Sequence, residues 1–361
     1  MLSSMMIGTY TEPILFGTGE IFQGKGRGVY FCEPEGGSLR VLNIAVCGNP
    51  SFLCFDRKKD MVYAVNEMKE FRHAFGGGVT RISIRDGEPR ILQTEGTGGT
   101  DPCHIDISPD GTLLAVANFA SGAVTMFTRG SEGELLDRSV FIHEGSGPDP
   151  VRQKGPHAHA VIFSRSVPMM FVPDLGIDAL KAYWAGNGNA EPAPEYDVEL
   201  PPGSGPRSGI FSRDERFFYL ICELSSQIFV FSFDKGRMNL LQQAEVLPEA
   251  ARRSGSICAD LHLTPDGRFL YASNRGDDSI CRFAVGKDGR LELLGHTPCG
   301  GRTPRNFAVA PDGKRLWVGN QDSDNIAVFS IGPDGSLTLS ETMPFPSPVC
   351  IRFLEEEDTD E

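Results

Sequence analysis

The residues with the clearest chemical potential are three arginines, a histidine and a glutamate close to apolar runs. Arg207 stands in GSGPRSGIFS, just before small and apolar residues, where a charge is costly unless it is paired or meets water. A guanidinium can hold an anion through two parallel hydrogen bonds, an imidazole can accept a proton, and a carboxylate can orient it. Such groups together could bind and open a small anionic ester. They are His159, Arg207, Glu223, Arg275 and Arg305.

A recurring phrase explains how residues so far apart in sequence could meet. SPDGTLLAVANF, TPDGRFLYASNR and APDGKRLWVGNQ each contain a tight-turn signal, a run typical of a β-strand and a final asparagine. Weaker copies fill the gaps, and the position of that asparagine recurs roughly every 50 residues, a period that suits a β-propeller blade. The anchor positions are Asn66, Asn118, Asp174, Cys222, Asn274 and Asn320.

We therefore predict an all-β fold, a seven-bladed β-propeller with four short strands in each blade. The segments MMIGTYT, GVYFCEP and LRVLNIAV form a blade without its first strand, and SPVCIRFL near the C-terminus supplies that strand. Pairing of these N- and C-terminal strands closes the ring and leaves no open sheet edge. The chain is then a single domain, residues 1–361, and the acidic tail, residues 355–361, is expected to be disordered.

Two rings of equivalent positions are expected at one mouth of the central channel. The start of an innermost strand lies beside the end of its antiparallel neighbour, so the two rings converge. The first ring begins the innermost strands: Ser51, Cys103, His159, Arg207, Ala259 and Arg305. The second ring follows the anchors: Glu67, Phe119, Leu175, Glu223, Arg275 and Gln321.

Two other interpretations of these residues stay open. A propeller channel is wet, and its polar side chains can be solvated or paired with each other without any further role. His157 and His159 alternate along a strand in GPHAHAV and could bind a metal ion as a pair. Our prediction is that the site uses no metal and no cofactor.

The overall charge and the cysteines limit the partners and the compartment. The chain has 34 Lys and Arg against 48 Asp and Glu, and its net charge of -14 disfavours nucleic acid and anionic membranes as partners. A small anion must therefore be held by a local group of arginines. The nine cysteines show no C-x-x-C or zinc spacing, and the first residues lack a signal sequence, so we expect a cytoplasmic protein. The oligomeric state is left open.

Over essentially its whole length the sequence resembles the lactonase family of seven-bladed propellers, which includes 6-phosphogluconolactonases. The resemblance rests on IGTYT, GNPSFL, YAVNE, GPHAHAV, GSGPRSGIF, CELSS, ADLHLTPDGRFLYASNRGDDSI, TPRNFAVAPDGK and NQDSDNIAVF. The chain also looks related to the fungal carboxymuconate lactonizing enzymes. The residues proposed for chemistry in those enzymes match His159, Arg207, Glu223 and Arg275.

Two positions depart from the family pattern. The family commonly shows GPRH and NE, where this chain has GPRS and CE. Ser208 therefore replaces a histidine beside Arg207, and Cys222 removes a side-chain amide from the anchor before Glu223. The arginine and the glutamate themselves remain.

The resemblance implies hydrolysis of 6-phospho-D-glucono-1,5-lactone, a small anionic sugar lactone, to 6-phosphogluconate. On this hypothesis arginines hold the phosphate and stabilise the oxyanion, while His159, oriented or assisted by Glu223, takes a proton from water. The expected catalytic residues are His159, Glu223, Arg207 and Arg275. The expected substrate-binding residues are Arg305, His157, Gln321 and Glu67. The alternatives are a carboxymuconate cycloisomerase, in which the arginines bind carboxylates, and a non-enzymatic binding propeller.

Overall fold

Seven antiparallel sheets follow one another along the chain in the computed structural model, which describes residues 4–16, 19–35, 38–251 and 255–354. The predicted tail, residues 355–361, lies outside the described residues. Counted outward from the channel, the strands are Pro348–Phe353, Met5–Thr9, Val29–Glu35 and Ser38–Ala45 in blade 1; Leu53–Asp56, Met61–Asn66, Gly78–Ser83 and Arg90–Gly96 in blade 2; Pro102–Ile107, Leu113–Asn118, Ala123–Arg129 and Leu135–Ile142 in blade 3; and Ile162–Phe163, Met169–Asp174, Ala179–Gly186 and Asn189–Pro192 in blade 4. They continue with Pro206–Phe211, Phe217–Cys222, Gln227–Asp234 and Arg237–Glu245 in blade 5; Ile257–Leu263, Phe269–Arg275, Ser279–Val285 and Leu291–Pro298 in blade 6; and Pro304–Val309, Arg315–Asn320, Asn325–Ile331 and Leu337–Pro344 in blade 7.

A few short elements complete the described part of the chain. Val198–Glu199 pairs with the third strand of blade 4, and two small hairpins stand apart from the blades. The hairpins are Pro13–Leu15 with Ile21–Gln23, and Glu70–Phe71 with Ala74–Phe75. The 3-10 helices are Arg57–Lys59, Pro194–Tyr196 and Glu249–Ala251. No helix in the described ranges has the length and apolar character needed to cross a membrane.

The ring is closed by pairing of the first and last strands, which confirms the predicted seven-bladed propeller. Met5–Thr9 runs antiparallel to Pro348–Phe353 on one side and to Val29–Glu35 on the other. The C-terminal strand thus becomes the innermost strand of blade 1. Closure of this kind pairs the inner edge of Met5–Thr9 with Pro348–Phe353, so that neither strand leaves that edge open.

Hydrophobic cores lie between neighbouring blades. The second strand of a blade is covered on both faces by adjacent sheets, and strands such as Leu113–Asn118 and Met169–Asp174 are buried at every position. Tyrosine side chains add a polar link, because the hydroxyl of Tyr271 in blade 6 donates to the Gly335 carbonyl of blade 7 at 2.7 Å. Tyr63 and Tyr219 make equivalent bonds to Gly133 and Gly289.

Irregularities in strand pairing direct first-ring side chains into the channel. In blades 3, 5 and 7 the pairing register shifts at the second residue of the inner strand. A β-bulge bends the strand and re-aims the side chain of the extra residue. These extra residues are Cys103, Arg207 and Arg305. His104, the next residue after Cys103, instead packs on Phe52 with ring centroids 3.9 Å apart, as expected for a residue facing the other way.

Blade 4 differs from the predicted pattern at its inner strand. This strand covers only Ile162–Phe163, so His159 precedes it instead of beginning it. The segment is held by a β-bridge between Ala158 and Asp174 and by the His159 N–H, which donates to the Pro173 carbonyl at 2.9 Å. His159 therefore reaches the mouth on a stretch of chain that is fixed by few ladder bonds.

Asp174 is the anchor that fixes this stretch. Its Oδ1 accepts hydrogen bonds from the backbone N–H groups of His157 at 2.6 Å and Gly176 at 3.0 Å. Its Oδ2 accepts one from His143 Nδ1 at 2.6 Å. Asp174 is fully buried, and a buried carboxylate needs hydrogen-bond donors of this kind to be satisfied.

We expect Asp174→Ala to lower the free energy of unfolding by about 3 kcal/mol, because it leaves buried donors without an acceptor. Urea denaturation measures this loss. Glu88, which is exposed, provides the control, since Glu88→Ala should change stability by less than about 0.5 kcal/mol. A loss below about 1 kcal/mol for Asp174→Ala would contradict the anchoring role.

Candidate active site

A cavity of about 390 Å³ opens at the mouth of the channel where the two rings meet. The first ring contributes Cys103, His159, Arg207 and Arg305 to its lining. The second ring contributes Glu67, Phe119, Glu223, Arg275 and Gln321. The four first-ring residues also border a small space deeper in the channel, so they form the floor of the cavity. The structure therefore brings seven of the eight predicted site residues together.

Glu223 is the centre of a cluster of charges in this cavity. Its Oε2 accepts hydrogen bonds from Arg207 Nη1 at 2.9 Å and from Arg275 Nη2 at 2.6 Å. Its Oε1 accepts one from Arg152 Nη2 at 2.5 Å. The Glu223 side chain is only 1% exposed, so these charge-assisted bonds act where water screens little.

The cluster changes the acidity of its members. Burial alone would raise the pKa of Glu223, but Arg275, Arg152 and Arg207 hold it well below its usual range. Burial lowers the pKa of Arg275 to about 10, although the Glu223 carboxylate acts in the opposite direction. Both groups are therefore charged at neutral pH, and three guanidinium groups share one carboxylate.

His159 is held by Arg207. Its Nε2 lies within hydrogen-bond distance of Arg207 Nη1, and because a guanidinium can only donate, Nε2 acts as the acceptor. Burial, with the Arg207 charge, keeps the pKa of His159 well below its ordinary value, so the ring is neutral. We predicted that Glu223 orients or assists His159; in the structure the two are linked through Arg207 Nη1, which contacts both.

A second charged group surrounds Glu67 on the opposite side of the mouth. Glu67 Oε2 accepts a hydrogen bond from Tyr10 Oη at 2.9 Å and lies 3.5 Å from Arg305 Nη2. The Arg305 guanidinium also lies over aromatic rings, 5.3 Å from the centre of Tyr10 and 5.6 Å from that of Phe16. These contacts hold Arg305 in place at the floor of the cavity.

The remaining predicted residues take different positions. Gln321 lines the cavity, and its buried Oε1 has no hydrogen-bond partner in the described part of the chain. His157 is not part of the lining. It stacks on Phe119 with ring centroids 4.5 Å apart, and its Nδ1 donates to the Phe119 carbonyl at 2.8 Å. His157 therefore supports a wall residue and does not face the cavity.

Sequence reasoning missed Asp101 and Arg152 in the lining of this cavity, and also Tyr10, which is fully buried and donates a hydrogen bond to Glu67. Tyr10 is the second-ring residue of blade 1. Its N–H donates to the Ser347 carbonyl at 3.2 Å, just before the inner strand, and the N–H groups of other second-ring residues make the same bond in their own blades. Extending the repeat to the closing blade would have found it. Asp101 lines the cavity and lies two residues before Cys103, the first-ring residue of blade 3. Arg152 comes from the loop between blades 3 and 4 and belongs to no repeated position, so the sequence carried no signal for it.

The opposite end of the channel holds a slightly larger cavity of about 420 Å³. Many of its lining residues are apolar, such as Ile162, Phe163 and Ile210. Its one carboxylate, Glu215, is already occupied by the hydroxyl groups of Ser164 and Ser166, both at 2.7 Å. Three arginines also line this cavity, but Arg165 and Arg213 are exposed to water, which screens their charge, and Arg352 lies over the Phe52 ring.

The two histidines proposed as a metal pair point to different partners. His157 contacts the Phe119 carbonyl, whereas His159 contacts Arg207. Across the described ranges, no three His, Cys, Asp or Glu side chains come close enough together to hold an ion. The geometry thus gives no support to the metal interpretation.

We expect Glu223→Gln to lower the free energy of unfolding by about 3 kcal/mol at neutral pH, because it leaves buried guanidiniums without a counter-ion. The folded pKa of Glu223 lies below its unfolded value, so its contribution is present above about pH 4.3 and is lost as pH falls through the folded pKa. Urea denaturation from pH 8 to pH 3 should show the difference from wild type shrinking only in the acid range.

Glu292→Gln, a change of the same kind at an exposed position, should leave stability unchanged at every pH. A difference between wild type and Glu223→Gln that is independent of pH, or that grows in acid, would contradict the role of Glu223 as counter-ion.

Comparison with known proteins agrees with this architecture. The family described as "Lactonase, 7-bladed beta-propeller" matches residues 4–353. A 6-phosphogluconolactonase of Formosa agariphila is 31% identical over 84% of this chain and 86% of its own length. A 6-phosphogluconolactonase of Bacillus subtilis is 30% identical over 96% of this chain and 97% of its own length. The structure of a periplasmic gluconolactonase of Pseudomonas aeruginosa superimposes with a TM-score of 0.88, at 32% identity over 97% of this chain and 98% of that one.

These matches extend over nearly all of the described propeller, including both rings and the closing strand of blade 1. The resemblance noted in the sequence motifs is therefore confirmed at the level of the family. The chain belongs to the lactonase family of seven-bladed β-propellers.

Proposed function

We propose that this chain hydrolyses 6-phospho-D-glucono-1,5-lactone to 6-phosphogluconate. Family membership and the names of its relatives support a lactone hydrolase. The observation that carries the choice of substrate is the concentration of positive charge in the cavity of a protein whose net charge is -14. The cavity holds the guanidiniums of Arg152, Arg207, Arg275 and Arg305 against the buried carboxylates of Glu67 and Glu223.

This excess of positive charge matches a phosphate ester, which carries roughly -1.5 to -2 at neutral pH. Two further acids of the lining, Glu20 and Asp322, are exposed at the rim, where water screens them. A buried acid, Asp101, has its pKa raised by burial to about 7, so it carries only part of a charge at neutral pH. One to two positive charges are then left for the substrate.

The phosphate is proposed to lie against Arg152 and Arg275. Each of these side chains is 14% exposed, and each bonds the protein through Nη2, to Glu223 in both cases and also to the Cys258 carbonyl for Arg275. Guanidinium forks suit phosphate oxygens because two parallel hydrogen bonds can form at once. Glu223 holds the two arginines beside each other before the substrate arrives.

Arg207 is proposed to stabilise the oxyanion that forms when water attacks the lactone carbonyl. Its Nε donates to the Ala259 carbonyl at 2.6 Å, and its Nη1 contacts both His159 and Glu223. The guanidinium is thus fixed on the floor of the cavity. A donor that is already in place needs no reorganisation as negative charge develops, and such donors are typically worth ~10²–10³ in rate.

The other predicted residues are proposed to bind the sugar. The side chains of Gln321, Arg305 and Glu67 all line the cavity, where they can meet the sugar hydroxyl groups. His157 contributes through Phe119, on which it stacks. His159, Arg207, Glu223 and Arg275 are the proposed catalytic residues.

The proposal includes no cofactor, and ester hydrolysis by water needs none to balance. It also places the protein in the cytoplasm, where thiols stay reduced. All nine cysteines are free, and seven of them are buried, which suits such a compartment. Nucleic acid and membranes are not proposed as partners because of the negative overall charge.

We expect the purified protein to accelerate hydrolysis of the phosphorylated lactone well above its spontaneous rate, measured by acid release. Arg152→Ala should raise KM for this substrate by about tenfold, the effect of losing ~1.4 kcal/mol of binding. With unphosphorylated D-glucono-1,5-lactone, kcat/KM of the same variant should stay within about threefold of wild type, because no phosphate is bound.

Arg290→Ala, which removes an exposed arginine far from the cavity lining, is the matched control and should leave both substrates unaffected. An equal loss with both lactones would contradict a phosphate role for Arg152. Turnover of a carboxymuconate without lactone hydrolysis would indicate the cycloisomerase, and no turnover of either substrate would indicate a binding propeller.

A further inference from the structure

Hydrolysis needs a group that takes a proton from water, and the two groups predicted for this step are already engaged. The Nε2 lone pair of His159 accepts a hydrogen bond from Arg207. Both carboxylate oxygens of Glu223 accept hydrogen bonds from guanidinium groups. Each group would have to give up a charge-assisted bond in a buried site before it could bind a proton, which makes both weak bases.

Asp101 lines the same cavity and is placed differently. Its backbone N–H donates to the Met68 carbonyl at 2.9 Å, and its carbonyl accepts from the Phe119 N–H at 2.9 Å, so the backbone is fixed on both sides. The side chain is 8% exposed. Within the described residues its carboxylate has one ion-pair partner, Lys69, whose Nζ lies 3.8 Å away, beyond hydrogen-bond length.

At the equivalent positions of blades 2 and 7 the side chains are engaged in short hydrogen bonds, unlike the carboxylate of Asp101. Asn49 occupies the position in blade 2, and its Oδ1 accepts a hydrogen bond from the Thr11 N–H at 2.8 Å. Thr303 occupies it in blade 7, and its hydroxyl donates to Asp322 Oδ2 at 2.6 Å. Those side chains stabilise loops through short hydrogen bonds, whereas the Asp101 carboxylate has Lys69 Nζ, 3.8 Å away, as its one charged partner in the described part of the chain.

We propose that Asp101 is the catalytic base that takes the proton from the attacking water. This inference rests on the proposed lactone hydrolysis. Burial, with the negative charge of Glu67, raises the pKa of Asp101 to about 7, while Lys69 acts in the opposite direction. A base whose pKa lies near the working pH is close to the optimum for proton transfer.

The proposed step balances with water as the only co-reactant. The water oxygen forms a bond to the lactone carbonyl carbon as one water proton passes to the Asp101 carboxylate, and the carbonyl oxygen becomes an anion beside Arg207. The intermediate then collapses, the bond from this carbon to the ring oxygen breaks, and the ring oxygen leaves as a hydroxyl that takes the proton from Asp101. The new carboxylic acid ionises and releases one proton to solvent.

The charged and titratable groups that face Asp101 set the pH range of this step. Glu67 comes from blade 2, Lys69 from the chain after it, and Cys103 from the inner strand of blade 3. Burial keeps the pKa of the Cys103 thiol far above neutral, so it stays uncharged. Protonation of Asp101 below about pH 7 should therefore reduce activity. The acid limb of the pH profile, where activity falls as pH falls, should follow Asp101 alone in this range.

The test is the pH dependence of kcat/KM for hydrolysis of the phosphorylated lactone, corrected for the spontaneous rate. Wild type should show activity rising through a pKa near 7. Asp101→Asn should lower kcat by about 10²–10³, lose this limb and change KM by less than about threefold. The variant should fold, because Asn49 adopts the same positive φ in blade 2. The control Asp266→Asn alters an exposed turn residue and should match wild type.

A second variant keeps the test decisive if Asp101→Asn does not fold. Lys69→Met removes the cation that lowers the pKa of Asp101, so the limb should move to higher pH. An unchanged limb in Lys69→Met, or a limb retained by Asp101→Asn, overturns the assignment of Asp101 while leaving lactone hydrolysis in place. A limb lost in His159→Gln but kept in Asp101→Asn would identify the histidine as the base. If the wild-type protein does not hydrolyse the lactone, both the proposed function and the role of Asp101 are overturned.

Discussion

The buried carboxylate of Glu223 is the interaction on which the site depends. Guanidinium groups that are shielded from water repel one another strongly, and Glu223 offsets this repulsion by bonding Arg152, Arg207 and Arg275 at once. The three arginines come from blade 5, blade 6 and the loop before blade 4, so the same carboxylate also links separate parts of the ring. An anion that enters the cavity meets cations that are already in position.

The repeat supplies a common backbone on which side chains can differ. The second-ring N–H groups of Glu67, Glu223 and Gln321 donate to carbonyls at the same position in their blades, at 3.0, 2.7 and 3.0 Å. The backbone bonds fix each side chain without specifying what it is. Blades 5 and 6 carry cationic groups at this mouth, whereas blades 2 and 3 carry Glu67 and Asp101. The cavity is therefore polarised, with an anion-binding side and an acidic side.

The periodic signals of the sequence predicted the fold and the convergence of the rings, because turn signals and anchors repeat with the blades. Other features of the site could not be predicted in this way. Arg152 lies in a loop that no other blade repeats, so the period says nothing about it. The position of Arg207 between His159 and Glu223 depends on a β-bulge and on side-chain conformations, neither of which has a signal in residue spacing. His157 shares a strand face with His159 by pattern, yet blade 4 has no regular strand there.

The most direct test of this account is a crystal structure of the protein with 6-phosphogluconate, the product of the proposed reaction. The account predicts phosphate oxygens within hydrogen-bond distance of Arg152 and Arg275, the new carboxylate beside Arg207, and Glu223 still bonded to all three arginines. A product molecule bound in the cavity at the opposite end of the channel, or bound at this mouth with its phosphate turned away from the arginines, would contradict it.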